Sequence, residues 1–107
     1  MSTGFLQVTT TIDSPEEASA LARAVVEARL AACAQVSGPI DSTYWWEGEL
    51  DTDREWVCSM KTTEKLFEAL ARFVTENHSY ETPEIIATPI TANREYLEWI
   101  TAETSST

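Results

Sequence analysis

Basic residues are scarce: seven lysines and arginines stand against 18 acids, for a formal charge of −11. A surface of that sign repels phosphate backbones and anionic membranes, which argues against nucleic acid as the main partner. It attracts cations, although without selectivity. Glycine is equally thin. Three glycines in 107 residues leave little from which to build a phosphate-cradling loop, and no Gly-x-Ser-x-Gly elbow is present. Two cysteines, Cys33 and Cys58, are too few for a disulfide scaffold and too far apart for a Cys-x-x-Cys motif. With His78 the only histidine, a closed structural zinc site from one chain is not expected. No apolar run approaches the roughly 20 residues needed to cross a bilayer. The opening MSTGFLQVTTTI has neither the basic start nor the long apolar stretch of a secretory leader. These absences fit a reduced, cytoplasmic protein.

What is present suffices for one packed domain over residues 1–107, with an apolar content of 43% and four tryptophans. FLQVTTTI is β-branched and aromatic and reads as a strand over about residues 5–12. Ser14-Pro15-Glu16-Glu17 is a helix start, with serine as cap, proline in the first turn and Glu17 placed to bond back. The helix is expected to run to about Cys33, burying Ala18, Leu21, Ala22, Val25 and Ala32. Gly38 and Pro39 break the pattern. IDSTYWWEGEL and REWVCSMKTT then read as an antiparallel hairpin turning between Gly48 and Asp53. Thr62-Thr63 closes the second strand and is placed to cap a helix carrying Leu66, Leu70, Phe73 and Val74, which ends near Asn77-His78. EIIATPI is a short strand in which Pro89 implies an edge or an end. Asn93 is placed to cap a last helix with Tyr96, Leu97 and Ile100, and TAETSST reads as a frayed tail over residues 101–107.

Strand, helix, strand, strand, helix, strand plus a terminal helix is the order of an α+β, ferredoxin-like split βαβ domain with an antiparallel sheet. Its helices leave one sheet face uncovered. Trp45 and Trp46 are adjacent, so in a strand one faces the helices and the other does not. Burying aromatics on both faces of a hairpin is hard for a lone chain of this size, and self-association is the favoured explanation.

The chemistry-bearing residues each admit two readings. His78 either helps to satisfy carbonyls at a helix end or centres a site with Tyr80, Glu81 and Glu84. Cys33 reads as a small hydrophobe at a helix end, and Cys58 as core between Trp56 and Met60. Lys61 is a solvated strand end or the anchor for an anion. No activated nucleophile stands out, so an enzyme is not expected.

Leu30-Ala31-Ala32-Cys33, Tyr44-Trp45-Trp46-Glu47-Gly48, Lys61-Thr62, His78-Ser79-Tyr80-Glu81-Thr82-Pro83-Glu84 and Tyr96-Leu97-Glu98-Trp99 occur in that order. Together these motifs closely resemble the CutA divalent-cation-tolerance family over roughly residues 5–100. The resemblance implies a PII-like fold, a homotrimer joined through long hairpin strands, and a role in tolerance of divalent metal ions, copper above all. It implies His78, Glu84 and Cys33 as metal ligands for Cu²⁺, or alternatively Zn²⁺, with no organic cofactor. Lys61 and Tyr80 would shape the cleft around them. Ser79 stands where that family usually has proline, and Gln35 where asparagine is common. The rival expectations are a PII-like sensor that binds a small anionic metabolite at Lys61, and a trimeric scaffold for a partner protein.

Overall fold

A computed structural model describes residues 2–105. The first strand, β1 (Phe5–Ile12), buries every second side chain. Leu6, Val8, Thr10 and Ile12 point inward, as a strand with a period of two requires. Ser14 then caps α1 (Pro15–Glu27) by accepting a hydrogen bond from the Glu17 amide at 3.2 Å. Ala18, Leu21 and Val25 are its buried stripe.

The helix stops six residues short of Cys33 because the chain turns left-handed at Arg29, with φ of 62°. The Arg29 amide bonds the Val26 carbonyl and the Leu30 amide bonds that of Val25. This closing motif normally uses glycine, and the sequence offers none there. The arginine side chain is tied down elsewhere, to the carboxylate of Glu103 at 2.8 Å. Cys33 therefore opens a strand and does not end a helix.

That strand, β2 (Cys33–Trp46), pairs with β3 (Glu49–Thr63), and only Glu47 and Gly48 lie between them. The turn is tighter than expected, and the strands are longer. Gly38-Pro39 does not end β2. The register jumps from Ser37↔Val57 to Ile40↔Glu55, so one extra residue on β2 makes a bulge. Gly38 is required there: its φ is 140°, and a Cβ would meet Trp56 Cδ1 at 2.9 Å. The bulge also inverts the facing of β2, so Ile40, Ser42, Tyr44 and Trp46 share a face with Asp51, Asp53 and Glu55.

A 3-10 turn over Glu64–Leu66 leads into α2 (Phe67–Glu76). Thr63 makes no side-chain cap there, and its hydroxyl is buried without a partner. β4 (Ile86–Pro89) follows, then α3 (Arg94–Glu103). Asn93 stands at the start of α3 without a side-chain bond; its carbonyl accepts from the Leu97 amide. Residues 101–103 are helical where a frayed tail was expected; fully buried Ile100 anchors the preceding turn, and Glu103 pairs with Arg29. Residues 106 and 107 of that tail lie outside the described residues.

All pairings are antiparallel and the strand order is β2-β3-β1-β4, with β4 at one edge as Pro89 implied. This is the ferredoxin-like arrangement. The core joins Leu6 and Val8 of β1, Leu21 and Val25 of α1, Cys58 and Met60 of β3, and Leu70 and Val74 of α2. Cys58 is core, as its alternation with Met60 suggested.

Neither tryptophan of the Trp45-Trp46 pair is buried; they are 73% and 57% exposed. The hairpin runs past the end of β1, which stops opposite Trp56, so its distal half has no third strand beside it. The radius of gyration is 14.4 Å, against about 13 Å for a compact chain of this length. The protruding hairpin accounts for the excess.

Candidate functional site

An open groove of about 920 Å³ lies between the hairpin and the segment from Ser79 to Glu84. Its floor is the open face of the sheet. Ser42, Tyr44 and Trp46 come from β2, Asp51, Asp53 and Glu55 from β3, and Thr11 from the end of β1. The wall is Ser79, Tyr80, Glu81, Thr82 and Glu84. Strand alternation accounts for the acidic row, because Asp51, Asp53 and Glu55 are spaced by two and share one face. Sequence reading passed over that row, although the alternation in Glu49-Leu50-Asp51-Thr52-Asp53-Arg54-Glu55 was open to view.

Hydrogen bonds order the acids. Tyr80 reaches across to donate its hydroxyl proton to Glu55 Oε2 at 2.6 Å. Glu55 is only 7% exposed, so this bond supplies a partner to a carboxylate removed from water. Desolvation first, and then the bond to Glu55, hold the Tyr80 phenol well above its usual range. Tyr44 donates to Asp53 from the neighbouring strand, and this bond above all pushes its phenol up to about 12. Asp51, Glu81 and Glu84 line the groove as exposed acids.

The expected ligands fall into separate places. His78 stands beside the groove with both ring nitrogens bonded within the chain. Nε2 is 2.8 Å from the Thr11 carbonyl, and Nδ1 accepts from the Tyr80 amide at 3.0 Å. Glu84 is on the groove wall. Cys33 is elsewhere: it pairs across the strands with Lys61, four residues along β3 from Val57, which pairs with Thr11. That is about 13 Å along the strand. The Cys33 sulfur sits 3.4 Å from the hydroxyl of Tyr96 on α3, and this contact, with burial second, pushes the Tyr96 phenol up to about 12. Lys61 donates to Gln35 Oε1 at 3.0 Å. The polar contact after Cys33 is thus made with glutamine in place of asparagine.

Among the described residues, no three His, Cys, Asp or Glu side chains converge closely enough to hold a metal ion. The donors that face the groove are carboxylates, which suit hard cations, whereas copper favours nitrogen and sulfur. A copper site with a thiolate ligand would therefore have to be assembled between chains. The groove has no lysine or arginine in its lining, so its charge repels an anionic metabolite.

Comparison with known proteins identifies the kin of this arrangement. The family model described as CutA1 divalent ion tolerance protein matches residues 6–103. The chain belongs to the CutA family. A relative from Thermus thermophilus, named as a divalent-cation tolerance protein, is 43% identical over 95 residues, covering 88% of this chain and 92% of its own. A solved CutA structure from Thermus thermophilus superposes with a TM-score of 0.91 at 41% identity, covering 94% of this chain and 99% of that one. A chloroplastic CutA from rice is 43% identical over 91 residues, 84% of this chain. The chain spans about half the length of that relative, 51%. The family model and the Thermus relative are named for tolerance of divalent ions, and the chain shares the fold of the solved Thermus structure.

Proposed function

We propose that the protein binds divalent metal ions as a homotrimer and acts in metal-ion tolerance in the cytoplasm, without catalysing a reaction. The observation that carries the reading is the groove, which Asp51, Asp53, Glu55, Glu81 and Glu84 line with no basic residue among them. Carboxylates gathered along one groove attract a divalent cation more strongly than they attract a monovalent one. Asp51, Glu81 and Glu84 are the acids free to bind it, since Glu55 and Asp53 accept from tyrosines.

Copper is the first ion to test and zinc the second. Copper selectivity would come from soft donors brought together at a seam between subunits, with Cys33 the thiol to supply one and Lys61 beside it. A ligand role for His78 competes with its two hydrogen bonds. The exposed hairpin supports association: Trp45, Trp46 and Leu50 are each more than half exposed, a surface that a partner chain would cover.

Calorimetric titration with Cu²⁺ and with Zn²⁺ tests the reading, using the wild type and a Glu81→Gln, Glu84→Gln double variant. Binding that weakens several-fold in the double variant is expected. Absence of heat with both ions in the wild type would remove the proposal. Fractionation of native cells decides the compartment.

A further inference from the structure

Between α2 and β4 the chain has to pass from the helix side of the sheet round the end of β1, with no regular structure over residues 78–85. Such a segment must find partners for its polar groups or lie loose. His78 provides two. A backbone amide can only donate, so the Tyr80 N–H at 3.0 Å requires a bare Nδ1. A carbonyl can only accept, so the Thr11 oxygen at 2.8 Å requires the proton on Nε2. The two contacts fix one tautomer of a neutral ring.

The Thr11 carbonyl belongs to the open edge of β1. The Phe5 carbonyl on that edge is taken by the Ile90 amide, and steps of two along the strand bring Thr11 to the same side. β4 ends opposite Thr9, so no residue of β4 reaches Thr11 on that side, while β3 pairs with it on the other. The imidazole occupies the place that a longer β4 would have filled. On its other side it fixes the backbone of Tyr80, whose ring centroid is 4.7 Å from its own. Tyr80 then reaches Glu55.

We propose that His78 is a positioning residue and not a metal ligand: as a neutral Nε2–H imidazole it ties the wall of the acidic groove to the open edge of β1 and thereby aims Tyr80 at Glu55. The proposal takes the groove as the cation site argued above, but its hydrogen-bond arrangement stands independently of that reading.

His78 is the single histidine, so nitrogen NMR of the ¹⁵N-labelled protein carries one imidazole to assign. At about pH 8, above the usual histidine range, the expected spectrum shows a protonated Nε2 and a bare Nδ1. Both should stay in place when Zn²⁺ is added to calorimetric saturation. An Nδ1–H tautomer, or a ring nitrogen shifted by direct coordination, would overturn the proposal. Should Zn²⁺ fail to bind at all, the cation reading falls while the tautomer still decides this one. In His78→Ala the Tyr80 amide should exchange with deuterium roughly tenfold faster, the loss of about one hydrogen bond. Protection equal to wild type would overturn the proposal. If that variant does not fold, the wild-type spectrum is sufficient.

Discussion

The Tyr80 hydroxyl and the Glu55 carboxylate meet at 2.6 Å across the end of β1, joining a segment without regular structure to the base of the hairpin. Removing the hydroxyl leaves a buried carboxylate without its donor. Tyr80→Phe should therefore cost about 2 kcal/mol, or roughly 10 °C in Tm for a domain of this size. Thermal melts at fixed protein concentration check it. Glu55→Gln, which keeps an acceptor for the phenol, should lose less.

Gly38 meets Trp56 where any side chain would begin, and its φ of 140° suits no other residue. Gly38→Ala should destabilise by roughly 2–4 kcal/mol, since overpacking and backbone strain act together. Chemical denaturation measures the loss, and Trp56 emission should report the displaced ring. A wild-type midpoint would contradict the bulge geometry.

The two thiols should differ. Cys58 is fully buried, and burial pushes its thiol from 9.0 up to about 11. The folded state therefore holds this proton more tightly than the unfolded state does. Its stabilising contribution is complete below about pH 9 and is lost as pH rises towards 11. Cys58→Ala should flatten that alkaline decline. In native protein at neutral pH, half-buried Cys33 should react with a thiol reagent before Cys58, which should label only on unfolding.

Trp45 and Leu50 face each other across the hairpin, 73% and 61% exposed. Truncating both to alanine should leave the circular dichroism of the single chain unchanged, because neither belongs to its core. Sedimentation should show a fall in association. A wild type that remains a single folded chain at micromolar dilution would rule out the trimer.

Much of the fold was legible because short-range rules governed it. The period-two burial of β1, the Ser14 cap and the stripe on α1 follow from neighbouring residues alone, and the family resemblance rested on contiguous motifs. The end of α1 was hidden because Arg29 does the work of glycine, held by Glu103 from the far end of the chain. The groove was half visible. Tyr80 and Glu84 were singled out, but Glu55 gained its meaning only when Tyr80 came to lie over it.

The sequence by itself determined the order of elements, the acidic balance and the family, since each depends on local pattern or composition. Tertiary structure decided which side chains share a site. It separated Cys33 from His78 along β3 and engaged both nitrogens of His78. It also turned the hairpin acids towards the loop wall. Those outcomes depend on strand register, on one bulge at Gly38 and on where β1 stops, all set by contacts between residues distant in the chain.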